Sequence, residues 1–183
     1  MSRLPIPASI EQSPAAAQPL LQAVKKQLGV VPNLFRLVGN SPAALEGYLG
    51  LNGALAKGAL EAPTRERIAL AVAEINGCDY CLSAHSYLGR NVAKLSEAEI
   101  SANRDGRSAD TKADAAVGFA VKLVSARGHV SENDLKAVRQ AGYSDAQIIE
   151  IVLHVALNTL TNYVNEVAKT DIDFPVVTAR AAA

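Results

Sequence analysis

The sequence has 183 residues, the length of one domain, and its 18 Lys and Arg residues are balanced by 18 Asp and Glu. A neutral chain lacks the surplus of cations with which nucleic-acid binders neutralise phosphates. Hydrophobic residues at 49% and charged residues at 20% exclude a disordered chain, and aromatics at 4% without Trp mark a helix former rather than a sheet protein.

Turn and cap signals divide the chain into helices. A first helix is expected over 14–28, ended by Gly29 and followed by an extended step at Val31 and Pro32. Ser41 before Pro42 reads as an N-cap with proline at the first helical position, opening a helix to about Gly58. Pro63 and Thr64 open the next, which runs to Asn76 and stops at Gly77; another covers about 78–89. Further on, Ser96 with Glu99, Ser131 with Asp134 and Ser144 with Gln147 are capping-box-like starts. Gly106, Gly128 and Gly142 stand where helices stop. Residues 110–127 and 144–170 carry apolar side chains at helical spacing.

No stretch alternates with period two, so the expected fold is all-α, with about eight helices and no sheet. Residues 1–183 read as a single domain with a core motif at 66–85. From about Asp171 an arm is expected to dock on a neighbouring surface or a partner subunit, and low complexity is confined to Ala181–Ala183. Residues 1–12 contain one Arg and no apolar core of signal-peptide length, and no run approaches the ~18 apolar residues of a membrane span. The expectation is a cytoplasmic protein that engages no membrane and no nucleic acid. Residues 131–155 have a helix–turn–helix outline, but the second helix brings no Lys or Arg until Lys169, so a plain helical hairpin is the better reading.

The two cysteines, Cys78 and Cys81, lie three residues apart. A bridge between them would restrain the unfolded chain by only roughly 2 kcal/mol before strain, a weak structural device. Cys78, Cys81 and His85 follow at steps of three and four, so they share a helix face. Cys78 falls in the first helical turn, where free N–H groups and the dipole favour a thiolate, and His85 can exchange a proton with Cys81. If the preceding helix runs antiparallel, Glu66 lies within one turn of His85 and Glu74 lies beside the cysteines. Glu66 also reads as a first-turn acid with Arg65 and Arg67 as surface partners. Zinc ligation and inert burial are the competing readings of the cysteines. Zinc is short of the four protein ligands of a structural site, and a three-ligand catalytic site is the remaining form. His154, on a polar stripe with Asn158, Asn162 and Asn165, reads as a satisfied histidine, or else the stripe lines a redox pocket or a subunit interface.

The spacing of Glu66, Cys78, Cys81 and His85 resembles the core motif of the alkyl hydroperoxidase D-like (AhpD-like) proteins of the carboxymuconolactone decarboxylase-like superfamily, closest to its peroxidase-related members. Val31-Pro32-Asn33, Gly142-Tyr143-Ser144-Asp145 and the stretch from Asn158 to Asp173-Phe174-Pro175 extend the likeness over most of the chain. The resemblance implies an all-helical fold, a trimer or hexamer, and thiol-dependent reduction of organic hydroperoxides or H2O2. Cys81 would attack the peroxide, Cys78 would resolve the sulfenic acid, and His85 and Glu66 would relay protons. A dithiol of thioredoxin or lipoyl type would restore the pair, with no cofactor and no metal. Some family peroxidases carry His directly before the second cysteine; this chain has Tyr80, which joins Glu74 and His154 as a secondary candidate. The alternatives are a protein disulfide reductase or redox adapter, a decarboxylase-like lyase on the same fold, and a non-enzymatic oxidant sensor.

Overall fold

Six consecutive residues, Ile68 to Ala73, are buried without a break. A helix that is apolar all round must be surrounded, and the other elements of the chain arrange themselves about this one. The computed structural model describes residues 2–180; the alanine run 181–183 lies outside them. After a 3-10 turn at Ala15–Ala17 come α1 (Gln18–Leu28), α2 (Asn33–Val38), α3 (Pro42–Leu55), the central α4 (Ala62–Ile75), α5 (Asp79–Asn91), α6 (Glu97–Arg104), α7 (Thr111–Ser125), α8 (Glu132–Gln140) and α9 (Asp145–Ala168). The fold is all-α, and no strand occurs among the described residues.

Three apolar clusters meet on α4, the smallest joining Leu70 to Leu95 and Ile100. Ile68 and Val72 join Phe119 and Leu123 of α7, Val138 of α8 and Ile151 of α9. Ala73 faces the second core, where Leu21, Leu34 and Leu45 of α1–α3 pack against Cys78, Cys81 and Leu82 at the start of α5. The small side chains of α4 let neighbouring helices approach closely, which brings α5 and α9 together over one end of the molecule.

The predicted caps form. Ser41, Ser96, Ser131 and Ser144 each accept a backbone N–H three residues on, and the boxes at Ser131 and Ser144 are reciprocal. Ser96 lacks the return bond because Glu99 turns inward to Arg67. Among the described residues nine α-helices form, against the expected eight or so. The extra one is α2, a six-residue helix directly after Pro32 that the sequence pattern is too short to signal. Helix α4 starts at Ala62, so Glu66 sits in its second turn rather than its first. The terminal arm docks on its own chain. Phe174 meets Tyr80 edge-on, Val177 and Ser83 exchange hydrogen bonds, and Ala179 N–H donates to Asp79. Along the outer face of α9, Ile149, Leu153, Ala156, Leu160, Tyr163 and Val167 are exposed at alternating steps of four and three.

Candidate active site

The α4–α5 turn sets the geometry. Gly77 adopts φ 66°, which an L side chain tolerates poorly. Its N–H reaches Glu74 O at 3.1 Å, and Cys78 N–H reaches back to Ala73 O at 3.0 Å. This is the paired closure of a Schellman motif. The chain therefore reverses within a few residues, and Cys78, not a residue of the first turn, is the N-cap of α5. Its sulfur accepts the Cys81 N–H at 3.3 Å.

The two Sγ atoms lie 2.6 Å apart, with the Cys78 thiol donating to Cys81. That hydrogen bond lowers the Cys81 thiol to about 7 against the opposing effect of burial, helped by the charge of His85 and by the amides of Asn165 and Asn162. Asn165 Nδ2 donates to Cys81 Sγ at 3.3 Å, and Asn162 is fixed by Asn76 at 2.9 Å. Cys78 moves the other way: its hydrogen bond to Cys81 and its burial hold the proton on. The thiolate expected at Cys78 from its place at the helix start thus belongs to Cys81, the residue that receives the donors.

Glu66 Oε2 and His85 Nδ1 are 2.9 Å apart, the contact expected of an antiparallel hairpin. Burial pushes the imidazolium down, but the charge and hydrogen bond of Glu66 outweigh it, so His85 titrates above its ordinary value. Glu74 is not beside the cysteines. It binds Arg104 and accepts the Arg180 N–H, pinning the arm. Arg65 and Arg67 are not surface partners of Glu66 either. Arg65 donates to the carbonyls of Leu55, Ala56 and Leu60, and Arg67 pairs with Glu99. The Tyr80 hydroxyl accepts from Leu34 N–H at 3.1 Å and donates to Asp173 at 2.8 Å. Burial pushes its phenol up, so it stays protonated.

A cavity of about 190 Å³ opens onto Cys81, Glu66 and His85, with Tyr48 and Asn52 of α3, Tyr80, and His154, Asn158 and Thr161 of α9 on its walls. Cys78 is fully buried behind Cys81 and does not line it. His154 is not the satisfied histidine of a polar seam. It faces the cavity with Nε2 buried and without a partner, and burial together with the Arg65 guanidinium pushes it down to about 4. No group of three or more His, Cys, Asp or Glu residues suited to a metal ion forms among the described residues.

The model of the Carboxymuconolactone decarboxylase family matches residues 42–126, the stretch from α3 through α7 that carries Glu66, Cys78, Cys81 and His85. A peroxidase-related protein with an alkylhydroperoxidase AhpD core from Ralstonia eutropha JMP134 superposes with a TM-score of 0.83 at 26% identity, covering 94% of this chain and 92% of that one. Over residues 42–126 the chain is similar to the Carboxymuconolactone decarboxylase family, and over nearly its whole length its fold is AhpD-like. A peroxidase-related protein from Silicibacter sp. TM1040 shares the AhpD-like fold at 24% identity and TM-score 0.80, over 93% of this chain and 91% of that one. The debrominase Bmp8 shares it at 21% identity and TM-score 0.72, over 87% of both chains, so this architecture also serves another chemistry. A search of curated proteins found no match. The α9 residues of this AhpD-like site, His154 and Asn165, lie outside the matched stretch. The polar stripe was the one sign of them in the sequence, and it did not say which atoms would meet the sulfur.

Proposed function

We propose that this protein is a thiol-dependent peroxidase that reduces organic hydroperoxides or H2O2. The observation that carries the reading is the asymmetry of the pair: Cys81, lowered to about 7, lines the cavity beside His85, while Cys78 sits behind it holding its proton. The Cys81 thiolate attacks the terminal peroxide oxygen and the O–O bond breaks. Sulfur is oxidised to a sulfenic acid, and the departing alkoxide takes a proton from His85, leaving as an alcohol. Glu66, hydrogen-bonded to Nδ1, keeps the imidazole charged and oriented. Cys78 sulfur then displaces hydroxide from the sulfenic acid, water leaves, and a disulfide remains. An external dithiol of thioredoxin or lipoyl type reduces it by exchange, taking the disulfide itself. The cycle calls on no cofactor or metal.

Cys81 is only 3% exposed, which favours a small substrate over the protein-disulfide substrate of a reductase or adapter. The dithiol has no part in a lyase reaction, which speaks against the decarboxylase-like reading. The reading takes the chain as one domain with its core motif at 66–85 and its arm from about 171. It also takes the chain as a homo-oligomer, trimer or hexamer, supported by the uncharged 4–3 seam on α9. Leu160→Glu is expected to lower the sedimenting mass. The test is consumption of cumene hydroperoxide with dithiothreitol as reductant. Wild type turns over, Cys81→Ser falls by at least about 100-fold, and Cys78→Ser, treated with peroxide with dithiothreitol left out, stops as a sulfenic acid trapped by dimedone. Equal rates in wild type and Cys81→Ser would overturn the proposal.

A further inference from the structure

Among the polar groups on the cavity beside Cys81 that the proposed cycle does not use, two stand out, Arg65 and His154. Arg65 is half-buried on its wall, and only Nη1 is occupied, by the carbonyls of Leu55, Ala56 and Leu60. Its Nε and Nη2 have no protein hydrogen-bond partner, and the guanidinium meets no carboxylate among the described residues. An Arg with a planar fork of donors left open is suited to a carboxylate. His154 is 5% exposed, and its Nε2 is buried with no partner. Its neighbours on the same wall are tied to their own helix: Asn158 Nδ2 donates to His154 O at 2.8 Å, and Thr161 Oγ1 to Asn158 O at 2.9 Å. An orphaned nitrogen at this depth costs stability unless a ligand completes it.

We infer that Arg65 and His154 form a carboxylate-binding subsite, in the same cavity as the thiol, for an organic substrate bearing a monocarboxylate arm. The inference rests on the reading of Cys81 as the reacting sulfur. His154 Nε2–H and the free edge of Arg65 donate to the carboxylate oxygens. Glu66 shares the cavity, but its carboxylate is engaged by His85 and adds little repulsion. Tyr48, whose phenol is held protonated by burial, supplies a further neutral donor on the α3 wall. The volume agrees. About 190 Å³ is several times the ~30 Å³ share of one water, so H2O2 alone leaves most of the space empty while a six-carbon acid fills it.

The experiment is isothermal titration of the full chain with hexanoate and with 1-hexanol, which needs no thiol chemistry. Hexanoate is expected to bind roughly tenfold more tightly than 1-hexanol, the usual advantage of a charge-assisted pair. His154→Leu is expected to weaken hexanoate about tenfold and so narrow the gap between the two. Arg65→Gln should weaken it at least as much, but Arg65 also fastens residues 55–60, so His154→Leu is the deciding variant. No hexanoate binding, equal binding of acid and alcohol, or unchanged hexanoate affinity in His154→Leu overturns the subsite. Peroxide-driven thiol loss is scored separately on the same protein. Thiols that survive peroxide beside His154-dependent hexanoate binding sink the peroxidase reading and leave the subsite standing; the reverse pattern sinks the subsite alone.

Discussion

Glu66 and Arg67 are neighbours on α4, yet they face two polar sites of different character. On one side Arg67 meets Glu99, whose carboxylate also accepts from Asn103, Ser108 and the Ala109 N–H. Burial pushes that carboxyl up, but four donors hold it at about 2, and the result is a latch joining α4, α6 and the loop before α7. On the other side Glu66 receives one partner, His85, and the cavity around them keeps the buried Nε2 of His154 without one. A carboxylate saturated with hydrogen bonds fixes structure. One with a single movable-proton partner, beside groups left open, is equipped for chemistry.

The contrast can be broken by exchanging the two acids' roles. Glu99→Ala should cost about 3–5 kcal/mol in urea unfolding, because the half-buried Arg67 is left without its anion, while Cys81 alkylation stays near wild type. The sign with pH follows. A carboxyl lowered in the folded state stabilises above its ordinary 4.5 and loses that contribution as pH falls toward about 2, so the variant should lose part of the wild type's acid-limb slope. Glu66→Gln should do the opposite. The rate of peroxide-driven disulfide formation should fall about 10–100-fold, with stability within about 1 kcal/mol of wild type. Equal stability losses in the two variants would erase the distinction.

Smaller effects sharpen it. Tyr80→Phe removes the acceptor of Leu34 N–H and the donor to Asp173, and should cost about 1–2 kcal/mol by thermal or urea unfolding. It should affect disulfide formation less than Glu66→Gln, which would make Tyr80 a strut for the arm rather than a proton carrier. Last, the pH profile of Cys81 alkylation by iodoacetamide should rise through about 7 and level off above it, since the thiolate accumulates on the alkaline side. Cys78→Ala, which deletes the principal donor, should move that midpoint upward toward the ordinary 9.0. Cys78→Ser retains a donor and should move it less.

Local signals in the chain carry most of this fold. Serines before acid or amide partners, glycines at helix ends and apolar spacing predict most of the helices, and helix periodicity with one hairpin assumption brings Glu66 to His85. The features that escape are those that depend on tertiary neighbours. Helix α2 is too short for periodicity, and Glu74 is drawn to Arg104 and the arm by side chains distant in sequence. The acidity favoured at Cys78 by the helix dipole is found at Cys81, because the decisive donors to the Cys81 sulfur are Cys78 and Asn165 on α9. His154 is a stripe residue in the sequence and an open cavity donor in the fold. The sequence motif therefore names the residues proposed to react, and the packing of α9 supplies what surrounds them.

Cys81 and Cys78 are proposed to act as one dithiol toward peroxide. Titration of free thiols before and after one equivalent of cumene hydroperoxide measures this directly. Loss of both thiols is expected in each wild-type chain, and no such loss in Cys81→Ser. Survival of both thiols in the wild type, or stoichiometric zinc in protein purified without chelator, would contradict it.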